Sequence, residues 1–148
     1  MTTLRNNKVE IYLHYVWTTH SRHPMIRPEI ERELYRCIEA ACRKEKCDVL
    51  AVGGTEDHVH LAIKLPTTTP PYKVMQTVKG TSSAFARDHL VKPGDSFCWQ
   101  DGYGVFSFSR SHKTLVINYI SKQKEHHQTG ELWPDVEDPT TFVESDSP

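Results

Sequence analysis

The feature that most constrains the fold is an alternation between two hydrophobic periodicities along the chain. Segments rich in β-branched and aromatic residues predict strands, and segments with apolar residues at helical spacing predict helices. The predicted strands cover 9–19, 47–52, 57–65 and 103–109. The predicted helices cover 29–46, 72–90 and 111–128. Pro28 and Ser111 suit helix starts, and Gly130 suits the end of the last helix.

The order of these segments is β-α-β-β-α-β-α. The first six match the ferredoxin-like split βαβ pattern, an antiparallel sheet with helices on one face. In this interpretation Gly53 and Gly54 form the tight turn of a hairpin. We therefore predict one α+β, ferredoxin-like domain over residues 1–130, with a C-terminal helix that carries Tyr119. Residues 131–148 are expected to form an acidic, loosely ordered tail.

Composition and charge are those of a soluble protein with a mildly basic folded part. Hydrophobic residues make up 37% and charged residues 25%, and no apolar run reaches the ~20 residues that span a bilayer. The four cysteines form no C-x-x-C pair, so we expect reduced thiols in the cytoplasm. The net charge is −1, but residues 1–130 hold 18 basic and 13 acidic residues, a net of +5. A basic folded part suits a nucleic-acid partner.

His58 and His60 stand two positions apart in a predicted strand. Side chains at i and i+2 of a strand point to one face, so both imidazoles project together while Val59 points into the core. Two adjacent imidazoles are half of a divalent-metal site. Taken alone, such a pair is more often two solvated polar residues opposite a buried valine.

The last predicted helix presents Tyr119, Gln123 and His126 along one stripe. In the simpler interpretation, Tyr119 packs at the edge of the apolar side with its hydroxyl in water. In the functional interpretation, the amide oxygen of Gln123, or else His126, completes a metal site with His58 and His60. Forming a tyrosinate at neutral pH costs about 4 kcal/mol. A cation on a phosphate would offset the charge that develops during attack.

Five segments, found in order over most of residues 9–128, resemble a known family. They are Tyr15-Val-Trp-Thr-Thr-His-Ser-Arg-His-Pro-Met-Ile, Asp57-His-Val-His-Leu, Val78-Lys-Gly-Thr-Ser-Ser, Trp99-Gln-Asp-Gly-Tyr-Gly-Val-Phe-Ser and Tyr119-Ile-Ser-Lys-Gln-Lys-Glu-His-His. Any one of them is a loose pattern. Together they resemble the single-tyrosine HUH-endonuclease transposases, both those of the smallest insertion sequences (the IS200-like type) and their repeat-associated relatives.

The resemblance implies a function for each of these residues. Tyr119 would attack single-stranded DNA at hairpin-containing ends, giving a 5′-phosphotyrosine and a free 3′-hydroxyl, for DNA transposition. His58, His60 and Gln123 would hold Mg²⁺ or Mn²⁺. The family also implies a homodimer that acts on hairpin DNA in the cytoplasm of a bacterial or archaeal cell. Because the tyrosine helix of dimeric members can serve the partner's histidine pair, assembly in cis or in trans stays open.

Three alternatives remain, and two departures bear on them. A hairpin-binding or repeat-processing relative that no longer cuts would not need both the histidine pair and Tyr119. A replication-initiator or relaxase nickase usually has a longer chain, and a zinc hydrolase has no use for Tyr119. The loop after the first strand has His20-Ser-Arg where similar proteins often have Lys-x-Arg, and the segment after His127 is short and acidic. Hairpin and dimer contacts are therefore open.

Other residues have weaker claims on function. The candidate DNA contacts are Arg22, Arg27, Lys73, Lys79 and Arg87. A solvated loop or helix face explains each of them about as well. Trp17 and Trp99 would suit stacking on unpaired bases, although core filling is the simpler explanation. His14 is most simply a surface or core histidine.

Overall fold

The computed structural model describes residues 7–130 and residue 133 of the 148-residue chain. The strands are β1 (Ile11–Thr18), β2 (Asp48–Gly54), β3 (His58–Leu65) and β4 (Gly104–Phe108). The α-helices are α1 (Pro28–Lys44), α2 (Pro71–Phe85), α3 (Lys113–Ser121) and α4 (Gln123–Thr129). Each predicted strand and each predicted helical segment thus corresponds to an observed one, with ends that differ by a few residues.

The four strands form one antiparallel sheet in the order β2-β3-β1-β4. β1 and β3 are the central strands. Helix α1 connects β1 to β2, and α2 connects β3 to β4. This is the ferredoxin-like split βαβ arrangement, so the predicted α+β fold is confirmed.

Helix α1 illustrates how local sequence sets these elements. Pro28 occupies the first turn, where its missing N–H costs no helical hydrogen bond. Glu29 and Glu31 in the first turn, and Arg43 and Lys44 in the last, complement the helix dipole. The buried residues of the helix recur at helical spacing and are Ile30, Leu34, Ile38, Ala41 and Cys42.

Both faces of the sheet are covered, by different helices. On one face, Tyr15 of β1 and Val59 of β3 join the main core with residues of α1 and α2, and both are fully buried. Burying such a side chain contributes about 1.5–3 kcal/mol. On the other face, Ala62 of β3 packs with Val116 and Ile120 of α3. The second face therefore lies beneath the helix that carries Tyr119.

Gly53 and Gly54 do not form the turn that their sequence predicts. Both lie in β2, and the turn to β3 is made by residues 55–57. A Cβ on Gly53 would overlap the backbone carbonyl of Ile120, and a Cβ on Gly54 would overlap that of His58. The glycines are needed because other backbone segments approach β2 closely, which local turn preferences cannot reveal.

The helix predicted over 111–128 is interrupted. It begins with a 3-10 turn, Arg110–His112, and Ser111 lies inside this turn without capping α3. It breaks at Lys122, whose φ of −114° and ψ of 30° are not helical, so α3 and α4 are separate. Similarly, α2 gives way to a π-helical turn at Ala86–Leu90.

Two further sequence predictions concern the membrane and the thiols. In the part of the chain that the structure describes, no helix is both long and apolar enough to cross a bilayer. The four cysteines are free thiols, as expected. The predicted acidic tail, residues 131–148, lies outside the described residues except for Trp133.

Candidate active site

His58 and His60 lie side by side on the face of β3 that α3 covers. Their ring centroids are 5.2 Å apart, and Val59 between them packs in the main core on the opposite face. The exposed fractions of His58 and His60 are 2% and 0%. The interpretation of the pair as two solvated residues is therefore wrong. Buried imidazoles need hydrogen-bond partners, and these partners define the site.

Tyr119 of α3 and Gln123 of α4 lie directly over the histidine pair. The ring of Tyr119 is perpendicular to that of His60, with the centroids 5.8 Å apart. Oε1 of Gln123 lies 3.2 Å from Nε2 of His58, and Nε2 of Gln123 donates to the backbone carbonyl of Tyr119 at 3.3 Å. Tyr119 and Gln123 are 3% and 1% exposed. Residues from two distant segments thus meet in one buried cluster.

Asp57 orients His58 from the side opposite Gln123. Oδ1 of Asp57 lies 2.9 Å from Nδ1 of His58, and it accepts a hydrogen bond from Arg22 at 3.1 Å. The hydroxyl of Thr55 is also 2.9 Å from Nδ1 of His58. Burial favours a raised pKa for Asp57, but the hydrogen bonds from His58 and Arg22 outweigh it and hold that pKa well below its usual range. Ionised Asp57 accepts the Nδ1 proton of His58, which leaves Nε2 of that ring facing Gln123.

His60 is paired with a third histidine, His14 of β1. Nε2 of His14 lies 2.8 Å from Nδ1 of His60, and His14 is 2% exposed. The sequence by itself indicates no more than a surface or core histidine at His14. Its contact with His60 spans 46 positions, so it follows from strand pairing and from no local motif. A sequence pattern could have indicated this contact. Side chains of β1 alternate between the two faces of the sheet, so His14 lies on the same face as His58 and His60 once β1 and β3 are aligned.

Trp133 covers the ring of Tyr119. The two rings stack with centroids 3.8 Å apart and planes inclined by 5°. The backbone N–H of Trp133 donates to the hydroxyl of Tyr119 at 3.0 Å, and the indole lies edge-on to His14 at 6.4 Å. The hydroxyl of Tyr119 is therefore enclosed, whereas the simpler sequence interpretation left it in water. No sequence signal marked Trp133.

Comparison with known proteins identifies the family. The family model described as "Transposase IS200 like" matches residues 7–123, a range that includes the histidine pair and Tyr119 and ends at Gln123. The chain belongs to the IS200-like transposase family.

Two solved structures share the fold of this transposase. A candidate transposase from Deinococcus radiodurans R1 is 23% identical, with a TM-score of 0.63, over 80% of this chain and 95% of its own. A REP-associated tyrosine transposase bound to a REP hairpin is 14% identical, with a TM-score of 0.62, over 90% of this chain and 81% of its own. A search of curated proteins found no significant match.

The donor set of this transposase fits a hard divalent cation if Gln123 takes part. Within residues 7–130 and 133, no group of three or more His, Cys, Asp and Glu side chains is placed to hold a metal. The histidine pair thus needs an oxygen ligand of another kind. Oε1 of Gln123 lies 3.2 Å from Nε2 of His58, so this amide oxygen would be within reach of a cation held by the histidine pair.

Two of the candidate DNA contacts have partners within the protein. Arg22 forms the ion pair with Asp57 at 3.1 Å. Lys79 donates to the backbone carbonyls of Gln100 and Gly102 at 2.7 and 3.0 Å, and burial lowers its pKa. These contacts hold each side chain against a loop of the protein, and Arg22 and Lys79 stay predicted DNA contacts.

The other three candidates are exposed on the surface. Arg27 precedes α1 and borders a pocket of about 550 Å³ with residues of the loop that follows α2. Arg87 borders a smaller cavity of about 240 Å³ next to Trp99. Nζ of Lys73 donates to the side-chain oxygen of Gln76 at 3.5 Å. These residues remain predicted DNA contacts.

The remaining candidates are two tryptophans and a histidine. Trp17 and Trp99 are 0% and 6% exposed and pack edge-to-face with centroids 5.7 Å apart. They fill the core, which is the simpler explanation of these tryptophans. The side chain of His126 lies outside the described residues, so its role as an alternative ligand stays a prediction.

Proposed function

We propose that this IS200-like transposase cleaves and rejoins single-stranded DNA through a 5′-phosphotyrosine on Tyr119. The observation that carries the proposal is the convergence of Tyr119 and Gln123 on His58 and His60 in one buried site. Packing of the core alone does not require that a phenol, an amide and two imidazoles meet. A zinc hydrolase would have no use for the phenol beside the histidine pair.

Tyr119 acts as the nucleophile. Its Oη forms a bond to the scissile phosphorus while the P–O3′ bond breaks, and the phenol proton is transferred, through solvent, to the released 3′-oxygen. The product is a 5′-phosphotyrosine and a free 3′-hydroxyl. Because the aryl phosphodiester conserves the energy of the broken bond, attack by another 3′-hydroxyl restores a DNA phosphodiester without ATP.

His58, His60 and Gln123 would hold Mg²⁺ or Mn²⁺, which when bound stabilises the charge that develops on the phosphate. His58 would use Nε2, because its Nδ1 is hydrogen-bonded to Asp57. Gln123 would use Oε1, because its amide nitrogen donates to the backbone of Tyr119. That last bond couples the ligand to the nucleophile, so a displacement of one moves the other.

Hairpin-containing DNA is the proposed substrate. The fold is shared with a REP-associated tyrosine transposase bound to a REP hairpin, and Arg27, Lys73 and Arg87 are exposed for phosphate contacts. A homodimer is proposed as the working assembly. The alternative is a resident hairpin-binding relative that does not cut, which is favoured by the enclosure of Tyr119 under Trp133.

A covalent-adduct assay tests the proposal. The protein is incubated with single-stranded hairpin oligonucleotides and Mn²⁺ or Mg²⁺, and SDS-stable adducts are resolved by electrophoresis. A label at the 3′ end of the DNA should move with the protein, and a label at the 5′ end should appear on a shortened, released strand. Tyr119→Phe and EDTA should each abolish the adduct, while Tyr12→Phe, a buried tyrosine on the same sheet face, should not.

Three results separate the alternatives. Adduct formation by Tyr119→Phe would refute the assignment of the nucleophile. Hairpin binding without any adduct in the wild type, with either metal, would support the non-cutting relative. Transfer of the 5′ label to the protein would reverse the proposed polarity of cleavage.

A further inference from the structure

We propose that His14 is the positioning residue for His60: Nε2 of His14 accepts the Nδ1 proton of His60 and so directs the Nε2 lone pair of His60 at the metal position. The inference rests on the proposed function, because it matters for catalysis only if His60 binds a metal. Nothing in the predicted ligand set, His58, His60 and Gln123, includes His14.

The hydrogen bond between the two rings requires one N–H and one lone pair, and metal binding decides which ring donates. A histidine that binds a cation through Nε2 is neutral and carries its proton on Nδ1. The 2.8 Å contact between Nδ1 of His60 and Nε2 of His14 then has His60 as donor. His14 must be the tautomer that carries its own proton on Nδ1. The pair of rings therefore has one compatible arrangement of protons.

His14 is held more rigidly than a surface residue would be. It lies in the central strand β1, where it pairs with Ala62 of β3 on one side and with Phe106 of β4 on the other. His60 pairs with Val16, so His14 is the diagonal neighbour of His60 on the same face. The rings of Phe106 and Trp133 lie edge-on to His14, each with centroids 6.4 Å away. An acceptor fixed by paired backbone on both sides can impose an orientation on its partner.

The two proposed histidine ligands differ in the charge of their supporting partners. His58 donates to the carboxylate of Asp57, which is ion-paired to Arg22. His60 has a neutral imidazole, His14, in the equivalent place. A second carboxylate there would add negative charge beneath the position proposed for the DNA phosphate. An imidazole orients His60 without that repulsion.

Metal binding in the absence of DNA tests the inference. Mn²⁺ affinity is measured by calorimetry for the wild type, His60→Ala, His14→Phe, His14→Gln and Tyr12→Leu. His14→Phe retains a ring but removes the acceptor, and should weaken Mn²⁺ binding by about 10- to 100-fold. His14→Gln supplies an amide oxygen as acceptor and should restore most of that affinity. Tyr12→Leu removes a buried ring from the same strand and face and should leave the affinity unchanged.

The outcomes distinguish this inference from the proposed function. If the wild type binds Mn²⁺, His60→Ala does not, and His14→Phe binds as tightly as the wild type, the role of His14 is refuted and the metal site stands. If His60→Ala binds like the wild type, the proposed metal site itself fails. If His14→Phe does not fold, ¹⁵N-detected spectra of the wild-type histidines with Mg²⁺ show which ring nitrogen of His60 carries the proton. A proton on Nε2 of His60 in those spectra would overturn the inference.

Discussion

The backbone N–H of Trp133 donates to the hydroxyl of Tyr119 at 3.0 Å while its indole stacks on the phenol ring at 3.8 Å. With Tyr119 only 3% exposed, a DNA phosphate can reach the hydroxyl only after Trp133 moves. The proposed nucleophile therefore lies beside the proposed metal ligands but is covered by Trp133.

Removing the indole should uncover Tyr119. An aromatic pair contributes about 0.5–1.5 kcal/mol beyond its buried area, so Trp133→Ala should increase the initial rate of adduct formation about two- to tenfold if uncovering limits the rate. The measurement is the time course of the SDS-stable adduct at saturating Mn²⁺. Tyr72→Ala, which removes a 60% exposed aromatic side chain, is the control and should not change the rate. A slower Trp133→Ala would mean instead that Trp133 holds Tyr119 in its reactive position.

Gln123 is the proposed ligand whose chemistry is easiest to vary. Gln123→Leu removes the oxygen that faces Nε2 of His58, and we expect at least a 100-fold loss of adduct, roughly the upper range for a disturbed metal site. Gln123→Glu keeps an oxygen donor and should retain Mn²⁺ binding, although it loses the amide donor to the carbonyl of Tyr119. Mn²⁺ affinity and adduct yield are measured on both variants. Equal Mn²⁺ affinity in Gln123→Leu and the wild type would exclude Gln123 as a ligand.

A substitution at Gly53 tests whether close packing on β2 positions α3, the helix that carries Tyr119. In Gly53→Ala the new Cβ would overlap the carbonyl of Ile120, which should cost about 1–3 kcal/mol of unfolding free energy and lower the adduct yield. Gly80→Ala is the matched control, because among the described residues its added Cβ meets nothing within 4 Å beyond its chain neighbours and the backbone of its own helix. Because Gly80 lies within α2, Gly80→Ala should raise the free energy of unfolding by about 0.4–1 kcal/mol. Urea denaturation measures the free energy of unfolding of both variants. If Gly53→Ala is as stable as the wild type, α3 tolerates displacement.

The periodic parts of the fold were predictable because they depend on local sequence. The β-branched and aromatic residues of β1 specify a strand, and the apolar spacing of α1 specifies a helix and its buried face, without knowledge of any partner. The alternation of side chains along a strand placed His58 and His60 on one face. The fold class then followed from the order of the elements.

The parts that could not be predicted depend on contacts between distant residues. Gly53 serves a backbone approach by Ile120, which is 67 positions away, and a turn rule cannot distinguish that role from a hairpin. The ion pair between Arg22 and Asp57 forms only when two loops meet, so no local pattern predicts it. No Gly or Pro marks the break at Lys122. His14 acquired a role only when β1 was paired with β3.

The buried thiols predict a loss of stability at alkaline pH. Burial raises the pKa of Cys42 to about 12 and, together with nearby Glu45 and Asp48, that of Cys47 to about 11, from an ordinary value of 9.0. Because the folded pKa values lie above the unfolded ones, this contribution to stability is complete below pH 9.0 and is lost as pH rises toward 11 and 12. Each thiol contributes a slope of up to about 1.4 kcal/mol per pH unit in that window.

Urea titrations across this pH range measure the slope. Cys47→Ser should flatten the decline, since serine does not ionise there. Cys98→Ser, at an exposed thiol, should leave the decline as it is in the wild type. Identical profiles for Cys47→Ser and the wild type would show that other groups cause the alkaline loss.

The structure predicts that the active site is complete within one chain. Tyr119 and Gln123 contact His60 and His58 of the same protein molecule, so a chain that lacks the histidine ligand cannot use its own tyrosine. We therefore expect that a mixture of His60→Ala and Tyr119→Phe chains, co-expressed to allow mixed dimers, forms no more adduct than either variant alone. A wild-type chain mixed with the double variant should remain active, which controls for inhibition by an inactive partner. An adduct on the His60→Ala chain, identified by a size tag, would show instead that the tyrosine helix serves the partner's histidine pair.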